Sequence, residues 1–107
     1  MIISTQDFPA EYEITETLGL VKGNTIRARH IGKDIVAGLR TIVGGEVVEY
    51  TKLLAEAREQ AVDRMVAQAE SMGADGIVGV RFTTAGIMQA AAELLVYGTA
   101  VKMRKKP

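Results

Sequence analysis

Residues 47–72 read VVEYTKLLAEAREQAVDRMVAQAESM, the longest regular hydrophobic pattern in this 107-residue chain. Apolar side chains recur in it every three or four residues, which is the spacing of one face of an α-helix. These side chains are Val47, Tyr50, Leu54, Ala57, Ala61, Met65, Ala69 and Met72. The opposite face carries Glu49, Lys52, Glu56, Glu59, Asp63 and Glu70. Gly73 follows directly, so the pattern predicts a long amphipathic helix that ends there.

A shorter helix is predicted before the long one. Its apolar residues lie at spacings of four, four and three, and they are Ile31, Ile35, Leu39 and Ile42. Gly44 and Gly45 come next, and glycine readily takes the left-handed conformation at a helix C-terminus. The long helix is therefore expected to begin close to Glu46.

The N-terminal part of the chain predicts a half-buried strand, because apolar and polar residues alternate with period two. One side holds Tyr12, Ile14, Leu18 and Leu20, and the other holds Glu13, Thr15 and Thr17. Gly19 and Gly23 interrupt the pattern and indicate a bend or bulge within one strand. The alternation resumes over Thr25–Arg29, where Arg27 and Arg29 share the outward side.

Two strands are predicted at the C-terminal end, over Asp75–Thr84 and Ala92–Met103, because both stretches are rich in β-branched residues. About seven residues that include Gly86 would join them as a hairpin loop. Residues 103–107 form a basic tail that is expected to fray. The order strand, helix, helix, strand, strand predicts one α+β domain over residues 1–107. Its short and long helices would pack on one face of an antiparallel sheet.

Both faces of the predicted sheet are apolar. In the last strand Leu94, Val96 and Ala100 point to one side, whereas Leu95, Tyr97 and Val101 point to the other. Two helices on one face leave the second face bare, which is unusual for a monomer of this size. The pattern therefore predicts a homo-oligomer in which another subunit covers that face.

Composition excludes several protein classes. The chain has no cysteine, so it has neither disulfides nor sulfur-ligated zinc sites. No basic region precedes an apolar run at the N-terminus, and no segment approaches the roughly 20 apolar residues of a membrane span. A cytoplasmic protein without membrane contact is expected. The net charge is zero, whereas nucleic-acid-binding domains are usually basic, so no nucleic acid partner is expected either.

Charge alternates along the chain in four blocks. Acids exceed bases by four in residues 1–21 and 46–75, and bases exceed acids by four in residues 22–45 and 76–107. This alternation is compatible with steering of a charged ligand or with complementary faces between subunits. Pairing of the blocks within one folded subunit is the simpler interpretation.

Several segments together resemble the YbjQ-like family of small bacterial and archaeal proteins. They are GNTIRARHIGKDIVAGLRTIVGGEVVEYTKLL (residues 23–54), AREQAVDRM (57–65), GADGIVGVRF (73–82) and YGTAVK (97–102). The resemblance runs from about residue 3 to residue 102. It implies a dodecin-like α+β subunit assembled into a ring, with five subunits as the expected number. Some members carry a heavy-metal-binding label, and the family has no established reaction.

The strand-to-helix junction contains the candidate ligand site, with Arg27, Arg29, His30 and Lys33. Helix starts are predicted at about Ile31 and Glu46, and unpaired N–H groups at a helix start attract anions. A phosphate-bearing ligand is one hypothesis for this junction. The alternative is that the arginines pair with acidic helix residues of a neighbouring subunit. The GxxxxGK[ST] phosphate loop is absent and Glu46 would repel an anion at the second helix start, so the sequence does not identify a cofactor.

Metal binding fits the residues poorly. Soft metals prefer thiolate or thioether ligands and borderline metals prefer imidazole. Met65 and Met72 lie on the apolar face of the long helix, where methionine ordinarily fills core space. His30 is the only histidine, so a histidine site would require symmetry-related copies of His30 at a ring axis. The alternative role of His30 is hydrogen bonding at the junction.

Catalysis has little support in the sequence. Glu93 lies in an otherwise apolar strand, where a carboxylate could act as an acid or base. The simpler interpretation is an ion pair that bridges two subunits, with Arg81 on the adjacent strand as a candidate partner. No Ser/His/Asp set, acid pair or dinucleotide fingerprint is present. The leading hypothesis is an oligomeric module without catalysis that holds a small ligand at subunit interfaces. Metal binding through His30 and an enzyme of unknown type are the alternatives.

Overall fold

The computed structural model of the chain describes residues 1–27, 46–88 and 91–107, which form an α+β fold. Its elements are β1 (Ile2–Ile3), β2 (Tyr12–Arg27), α1 (Glu46–Ser71), β3 (Gly76–Met88) and β4 (Ala91–Lys105). The strands form one sheet in the order β1-β3-β4-β2. The α+β class is confirmed. The predicted short helix over Ile31–Ile42 lies outside the described residues.

The sheet is mixed, so the prediction of an antiparallel sheet is corrected. Both β2 and β3 run antiparallel to β4, but β1 runs parallel to β3. The Ser4 N–H donates to the Ile77 carbonyl oxygen at 2.9 Å, and the Gly79 N–H donates to the Gln6 carbonyl oxygen at 3.0 Å. A two-residue strand is too short to show period-two alternation, and this explains why β1 was not predicted.

The long helix is confirmed almost to the residue. It spans 26 residues and ends in a Schellman motif, with Gly73 in the left-handed conformation at φ 78°. The Gly73 N–H donates to the Glu70 carbonyl oxygen at 3.0 Å, and the Ala74 N–H donates to the Ala69 carbonyl oxygen at 3.1 Å. These two bonds satisfy carbonyl groups that the end of the helix would otherwise leave unpaired.

The core lies between α1 and the sheet, where the helix packs mainly on β2 and β4. Its buried members are Val21, Ala61, Met65, Ala69, Ile77, Val80, Val96 and Ala100. Because most helix residues at this contact are alanine, the backbone of α1 comes very close to the sheet. A β-carbon at Gly23 would lie 1.9 Å from the Ala61 carbonyl oxygen. Gly23 therefore marks a close helix approach, and the predicted bulge occurs at Gly19 (φ 133°).

A second apolar cluster lies on the sheet face away from α1, which we call the far face. It consists of Val78, Val101 and Met103, with Ile2, Tyr12 and Ile14 packed against them. Neighbouring residues of a strand point to opposite faces, so Ala100 packs under the helix while Val101 belongs to this second cluster. The predicted apolar character of both faces is confirmed.

The C-terminal strands are longer than predicted. The prediction of a seven-residue hairpin loop is wrong, because β3 continues to Met88 and β4 begins at Ala91. Gly86 was predicted to lie in the turn, but it pairs with Ala92 within the sheet. At the other end β4 continues to Lys105, and the Met103 N–H donates to the Asp75 carboxylate at 3.1 Å. Three of the five residues of the predicted fraying tail therefore belong to a strand.

Candidate functional site

The structure describes only one of the four predicted ligand-binding residues. Arg27 is the last residue of β2, and its backbone lies opposite Ala92 of β4. Arg29, His30 and Lys33 lie outside the described residues. The site at this junction therefore stays a prediction.

The predicted subunit-bridging ion pair of Glu93 with Arg81 stays a prediction, and within the subunit each of the two side chains has other contacts. The Asn24 side-chain amide donates to the Glu93 carboxylate at 3.1 Å. Arg81 instead donates to the carbonyl oxygens of Thr5 at 2.7 Å and Val80 at 2.9 Å, which ties the N-terminal segment to β3. Glu93 and Arg81 are thus engaged in separate structural contacts.

Potential metal ligands are scattered in the described residues. Met65 is fully buried in the core and Met72 packs against that core, which supports their interpretation as space-filling residues. Within residues 1–27, 46–88 and 91–107, no three His, Cys, Asp or Glu side chains are grouped so that they could hold a metal ion. A metal site formed by the described part of one subunit is not supported.

Side chains of α1 occupy the outer edge of β2. The Lys22 N–H donates to the Gln68 side-chain oxygen at 2.8 Å, and the Arg64 guanidinium donates to the Asn24 carbonyl oxygen. These bonds satisfy backbone groups that an outer strand would otherwise offer to another chain. This contact was not predicted, although Arg64 and Gln68 lie four residues apart beside the apolar stripe and therefore share one helix face.

Removing the Gln68 amide should weaken the contact between α1 and β2 without destroying it. We expect Gln68→Ala to lower the free energy of unfolding by about 0.5–1.5 kcal/mol, because the Lys22 N–H then loses its protein acceptor. Gln68→Glu keeps an acceptor oxygen and serves as the matched control, with a smaller loss. Urea denaturation of both variants at one protein concentration measures the difference. Equal losses would show that the side-chain oxygen is not important.

Beyond α1, the sheet carries large exposed apolar side chains. Leu20 is 65% exposed, Ile26 55%, Phe82 49% and Tyr97 36%, and we call these four residues the distal sheet surface. In the strand register Leu20, Ile26 and Tyr97 share the far face, whereas Phe82 lies opposite Val96 on the helix face. Phe82 is exposed there because α1 barely reaches β3.

Cationic groups border the distal sheet surface on the far face. Lys22, Tyr97 and Arg81 form one row across β2, β4 and β3. In the part of the chain that the structure describes, no group of potential metal ligands accompanies this row.

No helix in the described ranges is long and apolar enough to cross a lipid bilayer.

Comparison with known proteins shows similarity over nearly the whole chain. A family model, YbjQ_1, described as "Putative heavy-metal-binding", matches residues 1–104. A UPF0145 protein of Methanosarcina acetivorans is 58% identical over 106 residues, which cover 99% of this chain and 100% of that protein. A UPF0145 protein of Pseudothermotoga lettingae is 54% identical over 105 residues, which cover 98% of this chain and 99% of that protein.

A solved structure shares the fold. The crystal structure of a protein of unknown function of the DUF74 family from Pediococcus pentosaceus matches with a TM-score of 0.64. The match covers 97% of this chain and 98% of that one, at 17% identity. Similarity at this level of identity concerns the fold alone. The sequence matches are far closer, and they show that the chain belongs to the YbjQ family of UPF0145 proteins.

Proposed function

We propose that this chain is the subunit of a cytoplasmic, ring-forming homo-oligomer that has no identifiable catalytic motif and binds a small or anionic ligand at its subunit interfaces. The observation that carries the proposal is the distal sheet surface, where four large apolar side chains are between 36% and 65% exposed in a single subunit. Three of them, Leu20, Ile26 and Tyr97, share the far face, and exposed large apolar side chains on one sheet face are typical of interaction sites on soluble proteins.

The arrangement of α1 supports coverage by a second copy. The helix protects β2 and β4, but all six residues from Arg81 to Gly86 are exposed. Symmetric association of identical chains is the commonest way in which soluble proteins cover such surfaces. The family resemblance adds a dodecin-like subunit and five copies per ring to the proposal.

The ligand part of the proposal concerns Arg27, Arg29, His30 and Lys33. Arg27 ends β2 directly after Ile26, which belongs to the distal sheet surface. A ligand bound by these cations would therefore lie close to the proposed subunit contact. A negatively charged group is the chemistry that guanidinium and ammonium side chains recognise.

Native mass spectrometry of the gently purified protein tests this proposal. We expect assemblies that are multiples of the 11.5 kDa chain, with five copies per ring and any retained ligand visible as extra mass. Ile26→Glu should shift the distribution towards monomer, because it places a charge on the distal sheet surface. Ala67→Glu puts the same charge on an exposed position of α1 and should leave the number of subunits unchanged. A monomeric wild type at micromolar concentration would contradict the proposal.

Metal binding is the second candidate, and the description of the matching family model is the observation that favours it. Because the described residues of one subunit contain no ligand cluster, the metal would be held by His30 of several copies. This candidate requires stoichiometric metal in the purified protein and its loss in His30→Ala. Elemental analysis of both proteins separates it from the ligand-binding proposal, for which wild type and His30→Ala would contain equally little metal.

A further inference from the structure

The outer edge of β3 beyond Arg81 is unpaired within the described residues. β1 covers only the beginning of β3, where Ile2 lies opposite Gly76 and Ile3 opposite Ile77. The last backbone bond on this side runs from the Val80 N–H to the Ser4 carbonyl oxygen at 3.0 Å. Backbone groups of a strand alternate in direction, so Phe82, Thr84 and Gly86 each turn an N–H and a C=O outward.

Among the described residues, this edge shows no feature that usually prevents strand pairing. Residues 82–88 read FTTAGIM, with no charge and no proline. The register between β3 and β4 is regular from Arg81 to Gly86, so no bulge twists the edge away there. The outer edge of β2 is protected, because the Gln68 and Arg64 side chains form hydrogen bonds with its backbone groups. Unprotected strand edges are templates for another extended chain.

The sequence of the edge is complementary to itself. If two β3 strands run antiparallel about a two-fold axis at Thr84, Thr84 faces Thr84 of the second copy and Phe82 faces Gly86 of the second copy. Opposed threonines stabilise antiparallel pairs, and an aromatic ring over an edge glycine compensates for the missing side chain. A β-carbon built at Gly86 meets no atom within 4 Å, so the space for that ring is open.

We infer that two copies of the chain join their β3 strands antiparallel about a two-fold axis at Thr84. Thr84 and its counterpart exchange two backbone hydrogen bonds, and each Phe82 ring packs over the Gly86 of the other copy. No like charges are opposed, because the segment carries none. In a ring assembly a two-fold contact links subunits of two facing rings, so the number of copies doubles.

This inference rests on the proposed homo-oligomer. Pairing of one short strand buries less surface than the roughly 800 Å² per partner of a stable protein interface. The contact is therefore stable only where several subunits of a ring make it together, which is the multivalent situation that closed symmetry provides.

Cysteine cross-linking of the full chain tests the pairing directly, since the natural chain has no cysteine. Hydrogen-bonded residues of an antiparallel pair have Cα atoms about 5.5 Å apart, within the range of about 4.4–6.8 Å that a disulfide requires. Thr84→Cys should therefore form a disulfide dimer on mild oxidation, seen on a non-reducing denaturing gel. Thr83→Cys is the matched control, because its copies would be diagonal neighbours beyond about 7 Å.

A second variant tests whether the Phe82 side chain of one copy packs over Gly86 of the other. Gly86→Val is accommodated by the single subunit, where the space is open, but it fills the position of the Phe82 ring. We expect it to halve the native mass while circular dichroism stays unchanged. An intact wild-type oligomer with no Thr84→Cys dimer, or equal cross-linking at Thr83 and Thr84, would overturn the pairing and leave the ring proposal standing. A monomeric wild type would overturn both.

Discussion

Gly23→Ala is expected to cost more stability than any other glycine-to-alanine change considered for this chain. Its β-carbon would lie 1.9 Å from the Ala61 carbonyl oxygen and 2.6 Å from the Met65 nitrogen, both of which are backbone atoms of α1. A flexible side chain could turn away, but a helix backbone has to shift as a whole. We expect a loss of about 3 kcal/mol or more in the free energy of unfolding. The corresponding fall in Tm is more than about 12 °C.

Thermal unfolding at a fixed protein concentration measures this effect, since oligomers unfold in a concentration-dependent way. Gly73→Ala is the matched control. Gly73 has φ 78° but open space around the added methyl group, so its replacement should cost only about 1–2 kcal/mol of conformational strain. If the two variants lose similar stability, steric contact with α1 is not what requires glycine at position 23.

Met65→Ala should produce the second largest effect. The Met65 side chain is fully buried between α1 and the sheet, and truncating such a side chain removes apolar burial and leaves a cavity. We expect a loss of about 2–5 kcal/mol in the free energy of unfolding, measured by urea denaturation. The wide range reflects how far neighbouring side chains can relax into the space.

Met65→Leu separates packing from metal chemistry. Leucine keeps nearly the same volume but has no sulfur, so a space-filling Met65 tolerates it with a loss below about 1.5 kcal/mol. The metal content of the purified protein should not differ between wild type and Met65→Leu. Loss of metal in this variant at unchanged stability would contradict the assignment of Met65 to the core.

Regular patterns in the sequence predicted the parts of the fold that depend on periodicity. α1 was expected over Val47–Met72 and occupies Glu46–Ser71, because seven turns of consistent spacing leave little ambiguity. The apolar character of both sheet faces was also predicted, and the second cluster around Val101 confirms it. Each of these predictions rests on many residues that carry the same signal.

Features that depend on a single contact were not predictable. Ile2–Ile3 becomes a strand only because β3 offers it an edge. Gly86 resembles a turn signal, yet the pairing of β3 with β4 keeps it in the sheet. Gly23 resembles a bulge, and only the position of α1 shows why glycine is needed there. Three of the four residues of the candidate site lie outside the described ranges, so their grouping stays a prediction.

The strand order has a consequence for the chain as it is synthesised. Tyr12 of β2 pairs with Lys105 of β4, a separation of 93 residues (105 − 12), so β2 leaves the ribosome long before its partner exists. At about 5–20 residues per second, this interval is roughly 5–20 seconds. β3 and β4 are adjacent in sequence and can pair at once, whereas β2 can pack only against α1 until β4 has been made. The folding of this small protein is therefore governed by its last-made strand.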